Sequence, residues 1–290
     1  MVRRRGSRGE AARSRGDAPL TLPGSGPWFV ESIDGTLIAV FSSGRGRPLV
    51  LVHGAAAEHT TFRTVGPLFA TRFGVHAMDR RGRGASGDRA SYGIEREFND
   101  VAAVIAQLAT ESGRAVDVIG HSFGGRVALG AALRADNIGR LVVYEGAPPA
   151  DEPYQAPGLR QRLERTLADD GPAALFETFL AEVIGMTPAD IAAYRANPVW
   201  ADRVAAAPTI LRELDAESSP AAGLDALGAV KIPVLQILGG DSRPAFRRAT
   251  QALDERLANG HVVVIAGAKH AAHHTHAPRF VAEVEAFLRP

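Results

Sequence analysis

The 290-residue sequence predicts an α/β fold, and three observations carry that reading. Short apolar runs at Pro48–Val52, Phe73–Met78, Ala115–Ile119, Leu141–Tyr144, Val234–Leu238 and His261–Ile265 alternate with helical patterns, as in βαβ units around a parallel sheet. A glycine-flanked turn, Gly120-His121-Ser122-Phe123-Gly124, joins one of these runs directly to a small-residue helical pattern at Gly125, Ala128, Ala131 and Ala132. Between Gly146 and about Val230 the pattern is helical alone, and strands resume only afterwards.

Taken in order, Met1 to Asp17 differ from everything that follows. Arginines stand at positions 3, 4, 5, 8, 13 and 15 with almost nothing apolar between them, so residues 1–20 are expected to form a disordered tail. The tail lacks the hydrophobic core region of a secretory signal. Residues 21–145 are then expected to build the first part of one core, 146–230 a helical cap, and 231–290 the remainder of the core. A hydrophobic content of 46% is ample for a single large core. The runs at Pro48–Val52 and His261–Ile265 are apolar without alternation, which suits strands buried on both faces. Glu95–Ser112 carries Phe98, Val101, Ile105 and Leu108 on one helical face.

Composition excludes several function classes. The chain has no cysteine, which rules out disulfides, a thiol nucleophile and thiolate-bound metals. A formal net charge of +1, with no basic stripe outside the tail, argues against nucleic acid or an acidic membrane surface as partner. No run approaches the roughly 18 to 20 apolar residues of a membrane span. A cytoplasmic location is expected, and nothing in the sequence speaks to oligomeric state.

The turn at 120–124 has the form of a nucleophile elbow. A strand before it, a helix after it and glycines on both sides present the Ser122 hydroxyl on a strained apex where the backbone approaches itself closely. The run Pro48–Val52 ends in His53-Gly54-Ala55, where a second backbone N–H can be brought toward the nucleophile, so the N–H groups of Ala55 and Phe123 are the expected oxyanion hole. After His261–Ile265, the loop Gly267-Ala268-Lys269-His270 offers a general base. His273, His274 and His276 follow closely, yet no Asp, Glu or Cys is near enough in sequence to complete a metal site. No metal and no cofactor are expected, and these three histidines are read as surface residues of the last helix. His53 and His121 are read as positioning the backbone through ordinary hydrogen bonds, with His53 also a candidate for the pocket wall.

From about Pro27 to Pro290 the chain resembles the α/β-hydrolase superfamily. The resemblance rests on the elbow, on His53-Gly54, on Asp79-Arg80-Arg81-Gly82-Arg83-Gly84-Ala85-Ser86 and on the glycine-led His270. It implies a mostly parallel eight-stranded sheet with helices on both faces, a helical cap after the sixth strand, and His270 as the base acting on Ser122. The sequence departs from the common pattern at the third member of the triad. The usual Gly-x-x-Asp turn would start at Gly239 and fall on Ser242, with Asp241 one residue early. Glu145 ends Val142-Val143-Tyr144-Glu145 at the position where a branch of the haloalkane dehalogenases carries a glutamate acid, and this stretch is similar to theirs. Glu145 is the preferred acid and Asp241 the alternative.

Within the cap, Phe176, Phe179, Leu180, Val183 and Ile184 form an apolar stripe opened by Gly171-Pro172, and Thr187-Pro188-Ala189-Asp190 has the spacing of a capping box. Phe176, Phe179 and Trp200 are the candidate pocket residues, and no basic residue stands out as an anchor for a carboxylate or phosphate. The expected activity is that of a serine carboxylesterase acting on a small-molecule acyl ester and water. A serine at 122 is incompatible with halide displacement or epoxide opening through an aspartyl ester. A C–C bond hydrolase of ring-cleavage diketones, a lactonase or perhydrolase, and a non-catalytic binding protein of the same fold are the alternatives.

Overall fold

A computed structural model of the chain describes residues 26–150, 154 and 156–289. The expected tail at 1–20 lies outside the described residues. Eight strands form one sheet: β1 (Trp28–Glu31), β2 (Leu37–Gly44), β3 (Arg47–Val52), β4 (Phe73–Met78), β5 (Val116–His121), β6 (Ile138–Tyr144), β7 (Val234–Gly239) and β8 (Gly260–Ile265). Their spatial order is β1-β2-β4-β3-β5-β6-β7-β8. β2 runs antiparallel to both of its neighbours, and every pairing from β4 to β8 is parallel. All six parallel strands therefore end at one edge of the sheet, where open α/β sheets place their binding crevice.

Successive residues of the central strands enter different cores, as a side-chain period of two requires. Val50, Val52, Val116, Val118, Leu141 and Val143 join the layer packed under the helices Ile94–Ser112, Phe123–Ala132 and Pro244–Asp254. Leu49, Leu51, Ile119, Val142 and Tyr144 join the opposite layer, closed by Phe69 and by Phe280, Val284 and Leu288 of the helix Ala277–Leu288. Both faces of these strands are covered, which is why they read as unbroken apolar runs.

β8 corrects the sequence reading at its run. It is the edge strand, its residues are mostly exposed or half-buried, and Val264 is 46% exposed. An apolar run shows strand propensity but not whether a second neighbour is present.

Between β6 and β7 the described residues contain helices and no strand. This insertion has its own apolar cluster: Leu159, Leu163, Leu175, Phe176, Phe179, Leu180, Val183, Ile191, Ala207 and Ile210. Ala56, from the loop after β3, is the one fully buried residue of the sheet scaffold that joins it. The helix Pro172–Phe179 starts at the expected proline and runs into a wide turn, Leu180–Ile184. Thr187 caps Pro188–Arg195, its side chain accepting from the Asp190 N–H at 3.1 Å while Asp190 accepts from the Thr187 N–H at 3.2 Å. No helix among the described residues is long and apolar enough to cross a membrane.

A buried ionic network ties insertion to sheet. The Arg80 guanidinium donates to Glu97 at 2.6 and 2.8 Å and to Glu213 of the insertion at 2.5 Å. Arg83 also pairs with Glu213 and, at 3.3 Å, with Glu97, while the Tyr92 hydroxyl donates to Glu97 at 2.6 Å. Burial pushes the Glu97 carboxyl up, but Arg80 and Arg83 outweigh it and bring it down to about 2. Removing one member of such a cluster strands the others in a dry site.

The tightest backbone contact lies at the elbow. A Cβ placed on Gly124 would meet the His53 carbonyl oxygen at 2.2 Å and the Val52 carbonyl oxygen at 2.5 Å, both main-chain atoms unable to move aside. Gly124→Ala is expected to destabilise the fold by about 3 kcal/mol, the upper range for forcing atoms into a packed interior. Gly66→Ala, at a position with no atom within 4 Å of the added carbon, should stay within about 0.5 kcal/mol. Thermal denaturation of the two variants side by side checks the contrast.

Candidate active site

Ser122 sits between β5 and the helix Phe123–Ala132 with φ 55° and ψ −128°. A non-glycine residue with positive φ is strained, and among the described residues only Ala56, Ser122 and Glu145 have it. These three residues follow β3, β5 and β6, at the same edge of the sheet. The strain at Ser122 is tolerated because its surroundings are stripped of side chains. A Cβ on Gly54 would stand 2.9 Å from the Ser122 Cβ, and one on Gly146 would stand 2.7 Å from the Ser122 carbonyl oxygen.

Glu145 reaches across to the loop after β8. Its Oε2 lies 2.6 Å from His270 Nδ1, and its Oε1 accepts from the Gly239 N–H at 2.7 Å. Both side chains are buried. With Glu145 accepting at Nδ1, that nitrogen carries the proton and Nε2 is left as the free base of the neutral ring. Phe246 stacks on the His270 ring with centroids 4.7 Å apart.

The loop carrying His270 is pinned from several directions. The Tyr144 hydroxyl donates to the Lys269 carbonyl and accepts from the Ala272 N–H at 2.8 Å. His121 Nε2–H donates to the His270 carbonyl at 2.9 Å. Asp241, by contrast, is exposed, and its N–H serves the same loop by donating to the Ala268 carbonyl at 2.9 Å. The structure thus brings His270 to Glu145, and the loop after β7 supplies main-chain support.

Ala55 and Phe123 line a small pocket together with Ser122. Among the described residues, neither N–H donates to a backbone carbonyl, which leaves both free to serve a ligand. The preceding loop is held by Arg80, whose N–H donates to His53 Nε2 at 2.9 Å and whose guanidinium donates to the His53 and Gly54 carbonyls at 3.3 and 3.1 Å. His53 Nδ1–H donates to the Gly54 carbonyl at 2.9 Å. With both nitrogens used and no exposure, His53 does not line the pocket, and its pocket assignment is corrected to backbone positioning.

A cavity of about 290 Å³ opens over Ser122 and His270, walled by Phe176, Phe179, Leu180, Ile184 and Met186 of the insertion. Trp200 does not reach it. Its ring packs behind Phe176 and Tyr194, with centroids 5.3 and 5.7 Å away, so it supports the wall from outside. Polar side chains complete the lining, among them His121, Arg203, His273 and His274.

Two corrections follow for that polar lining. His273, read from sequence as a surface residue of the last helix, belongs to the short helix Ala272–Thr275, is 2% exposed, and has no hydrogen-bond partner at either ring nitrogen. Arg203, which the sequence did not single out, is 3% exposed and lines the cavity. Its place among alanines and ordinary charges at helical spacing gave no local signal of this.

Among the described residues, Glu58, His59 and Asp79 are the one trio whose ligand atoms come within 4.8 Å of one another. Asp79 there already accepts from the His59 and Ala85 N–H groups at 2.7 and 2.8 Å and pairs with His59 Nδ1 at 2.8 Å, bonds that shape the turn after β4.

A family model for the alpha/beta hydrolase family matches residues 49–284. The chain belongs to the alpha/beta hydrolase family. This hydrolase is 24% identical over 262 residues to a pimeloyl-(acyl-carrier protein) methyl ester esterase of Aliivibrio salmonicida, which takes in 86% of the chain and 95% of the esterase. Over 120 residues it is 33% identical to N-formylmaleamate deformylase of Pseudomonas putida, a match over 40% of the chain that spans only 41% of the deformylase. An alpha/beta hydrolase of Sphaerobacter thermophilus superposes on it with a TM-score of 0.76 at 29% identity, over 90% of this chain and 100% of that one. With esterases and other hydrolases as its relatives, it is an enzyme of this family.

Its buried histidines make the hydrolase acid-sensitive. Burial holds His121 well below its ordinary range. Burial does the same to His273, and it brings His76 and His274 down to about 4. The unfolded chain takes up protons at these rings below about pH 6.5 while the folded chain refuses them, so stability is full above that pH and falls toward pH 4. A single ring behaving like His76 contributes a loss of about 2 kcal/mol at pH 5. Urea unfolding at pH 5 and pH 7.5 should differ by at least that amount, with the protein weaker at pH 5.

Proposed function

We propose that this enzyme is a serine hydrolase of acyl esters, a carboxylesterase in type, working through an acyl-enzyme on Ser122. The observation that carries the reading is the 2.6 Å buried hydrogen bond between Glu145 and Nδ1 of His270, whose ring lines the same cavity as the strained Ser122. Esterases among its relatives support the same class of reaction.

Ser122 Oγ attacks the ester carbonyl while His270 Nε2 takes its proton. The imidazolium so formed is stabilised by Glu145, which also keeps the ring from presenting the wrong nitrogen. Negative charge on the carbonyl oxygen is met by the N–H groups of Ala55 and Phe123, and donors placed where charge develops are each worth about two to three orders of magnitude in rate. His270 returns the proton to the leaving alcohol, then removes one from water, which attacks the acyl-enzyme and frees Ser122. Asp241 takes no part. The helices between β6 and β7 act as a cap, with Phe176 and Phe179 against the acyl chain.

Fluorophosphonate labelling together with p-nitrophenyl ester turnover tests the proposal. The protein should label and turn over short acyl esters, and Ser122→Ala should do neither. A protein that stays unlabelled and inactive would overturn it in favour of a binding role. Glu145→Gln should fold normally and lower kcat by roughly three to four orders of magnitude, while Asp241→Asn should stay within about threefold of the parent. A crippled Asp241→Asn enzyme beside a nearly normal Glu145→Gln enzyme would move the acid to the loop after β7.

A further inference from the structure

The polar lining of the cavity contains a charge that the protein leaves unanswered. Arg203 lies in the helix Trp200–Ala206, is 3% exposed, and its Nη1 has no hydrogen-bond partner. Arginine cannot shed its proton to escape burial, so the charge stays. Among the described residues no carboxylate pairs with it. The buried glutamates Glu145 and Glu213 are already committed, Glu145 to His270 and Gly239, and Glu213 to Arg80 and Arg83. The other buried arginines show the contrast: Arg80, Arg81, Arg83 and Arg126 each have an acidic partner. A lone buried cation is costly, and a chain that answers its other buried arginines from within has placed this one in the lining of the cavity.

A second orphan stands in the same lining. His273 is buried, lines the cavity and has both ring nitrogens free. Burial, joined by the fixed charge of Arg203, holds this ring well below its ordinary range, so it is neutral and offers one N–H donor. At the mouth Arg63 adds another cation, oriented by Asn197 of the insertion at 3.3 Å.

We propose that the preferred substrates are half-esters of dicarboxylic acids, whose free carboxylate pairs with Arg203 and accepts from His273 while the ester carbonyl lies at Ser122. This rests on the esterase reading and names its substrate class. The apolar wall of Phe176, Phe179, Leu180 and Ile184 then covers the methylene chain between the two ends of the acid, and a cavity of about 290 Å³ suits a short diacid. A carboxylate placed there removes the unpaired charge and fixes the ester's position, so it raises kcat/KM and not affinity alone.

The test compares monomethyl with dimethyl esters of succinate, glutarate and adipate. For at least one chain length the monomethyl ester should be preferred by about tenfold or more in kcat/KM. Arg203→Gln should lower that ratio by about 10- to 100-fold, the range for one charged hydrogen-bonded contact, and Arg203→Lys should restore part of it. Because Arg203→Gln could fold poorly, glutarate and adipate are also titrated into the Ser122→Ala protein by calorimetry, where no turnover is needed. Saturable binding that sodium chloride or sulfate at the same concentration does not reproduce supports the proposal. Equal use of both esters, or binding matched by simple inorganic anions, overturns it. If no ester is cleaved while the diacids bind tightly, the esterase reading fails and the carboxylate site stands.

Discussion

Close approach of the main chain at the carboxyl edge of the sheet is the constraint on which the rest of this enzyme depends. The three non-glycine residues forced to positive φ, Ala56, Ser122 and Glu145, follow three strands that end together, β3, β5 and β6. Each turn is tolerated because its neighbours have surrendered their side chains. Gly124 lies against the Val52 and His53 carbonyls, and Gly120 and Gly146 lie against Gly125. Strain of this kind persists only where surrounding packing over-determines it, and here it sets the chemistry: it aims Oγ of Ser122 into the cavity wall, carries Glu145 toward His270, and sends Ala56 into the apolar cluster of the insertion.

A second level of organisation fixes what the turns leave loose. Arg80 sits directly beneath the loop after β3, bonding its carbonyls from the guanidinium and His53 from the main chain. The same guanidinium reaches Glu213 in the insertion, so one buried side chain positions both the backbone donors beside Ser122 and the roof above them. Such an ionic network is not a strong source of stability, because desolvation offsets most of its Coulomb attraction. Its value is directional, since it is satisfied only when insertion and sheet meet in one arrangement. Tyr144 performs the matching task for the loop of His270, with a neutral hydroxyl in place of charge.

Electrostatics inside the cavity follow from who has a partner. His53 and His121 spend their hydrogen bonds on main-chain atoms and stay neutral through burial. His270 alone of the cavity histidines has a buried carboxylate as its hydrogen-bond partner. Arg203 and His273 line the same cavity with buried nitrogens that no group of the protein answers, and an unsatisfied polar group in a packed interior is costly.

Much of this was legible in the chain, and the reason is local. Buried strands flanked by turn signals, the glycines around Ser122, the Gly171-Pro172 and Thr187–Asp190 helix starts, and the loop bearing His270 each depend on a few adjacent residues whose conformational preferences act at short range. The glutamate after β6 stood out because a charge ending an apolar strand needs a partner. The antiparallel pair β1 and β2, the edge position of β8, the removal of His53 and Trp200 from the pocket, and the burial of His273 and Arg203 were not legible. These depend on which distant surface covers a given side chain. Periodicity reports the faces of a helix or strand but not what lies opposite them, so the sequence by itself determined the turn of Ser122, the loop of His270 and the glutamate that ends β6, while only the packing of insertion against sheet decided which charges the cavity would leave unanswered.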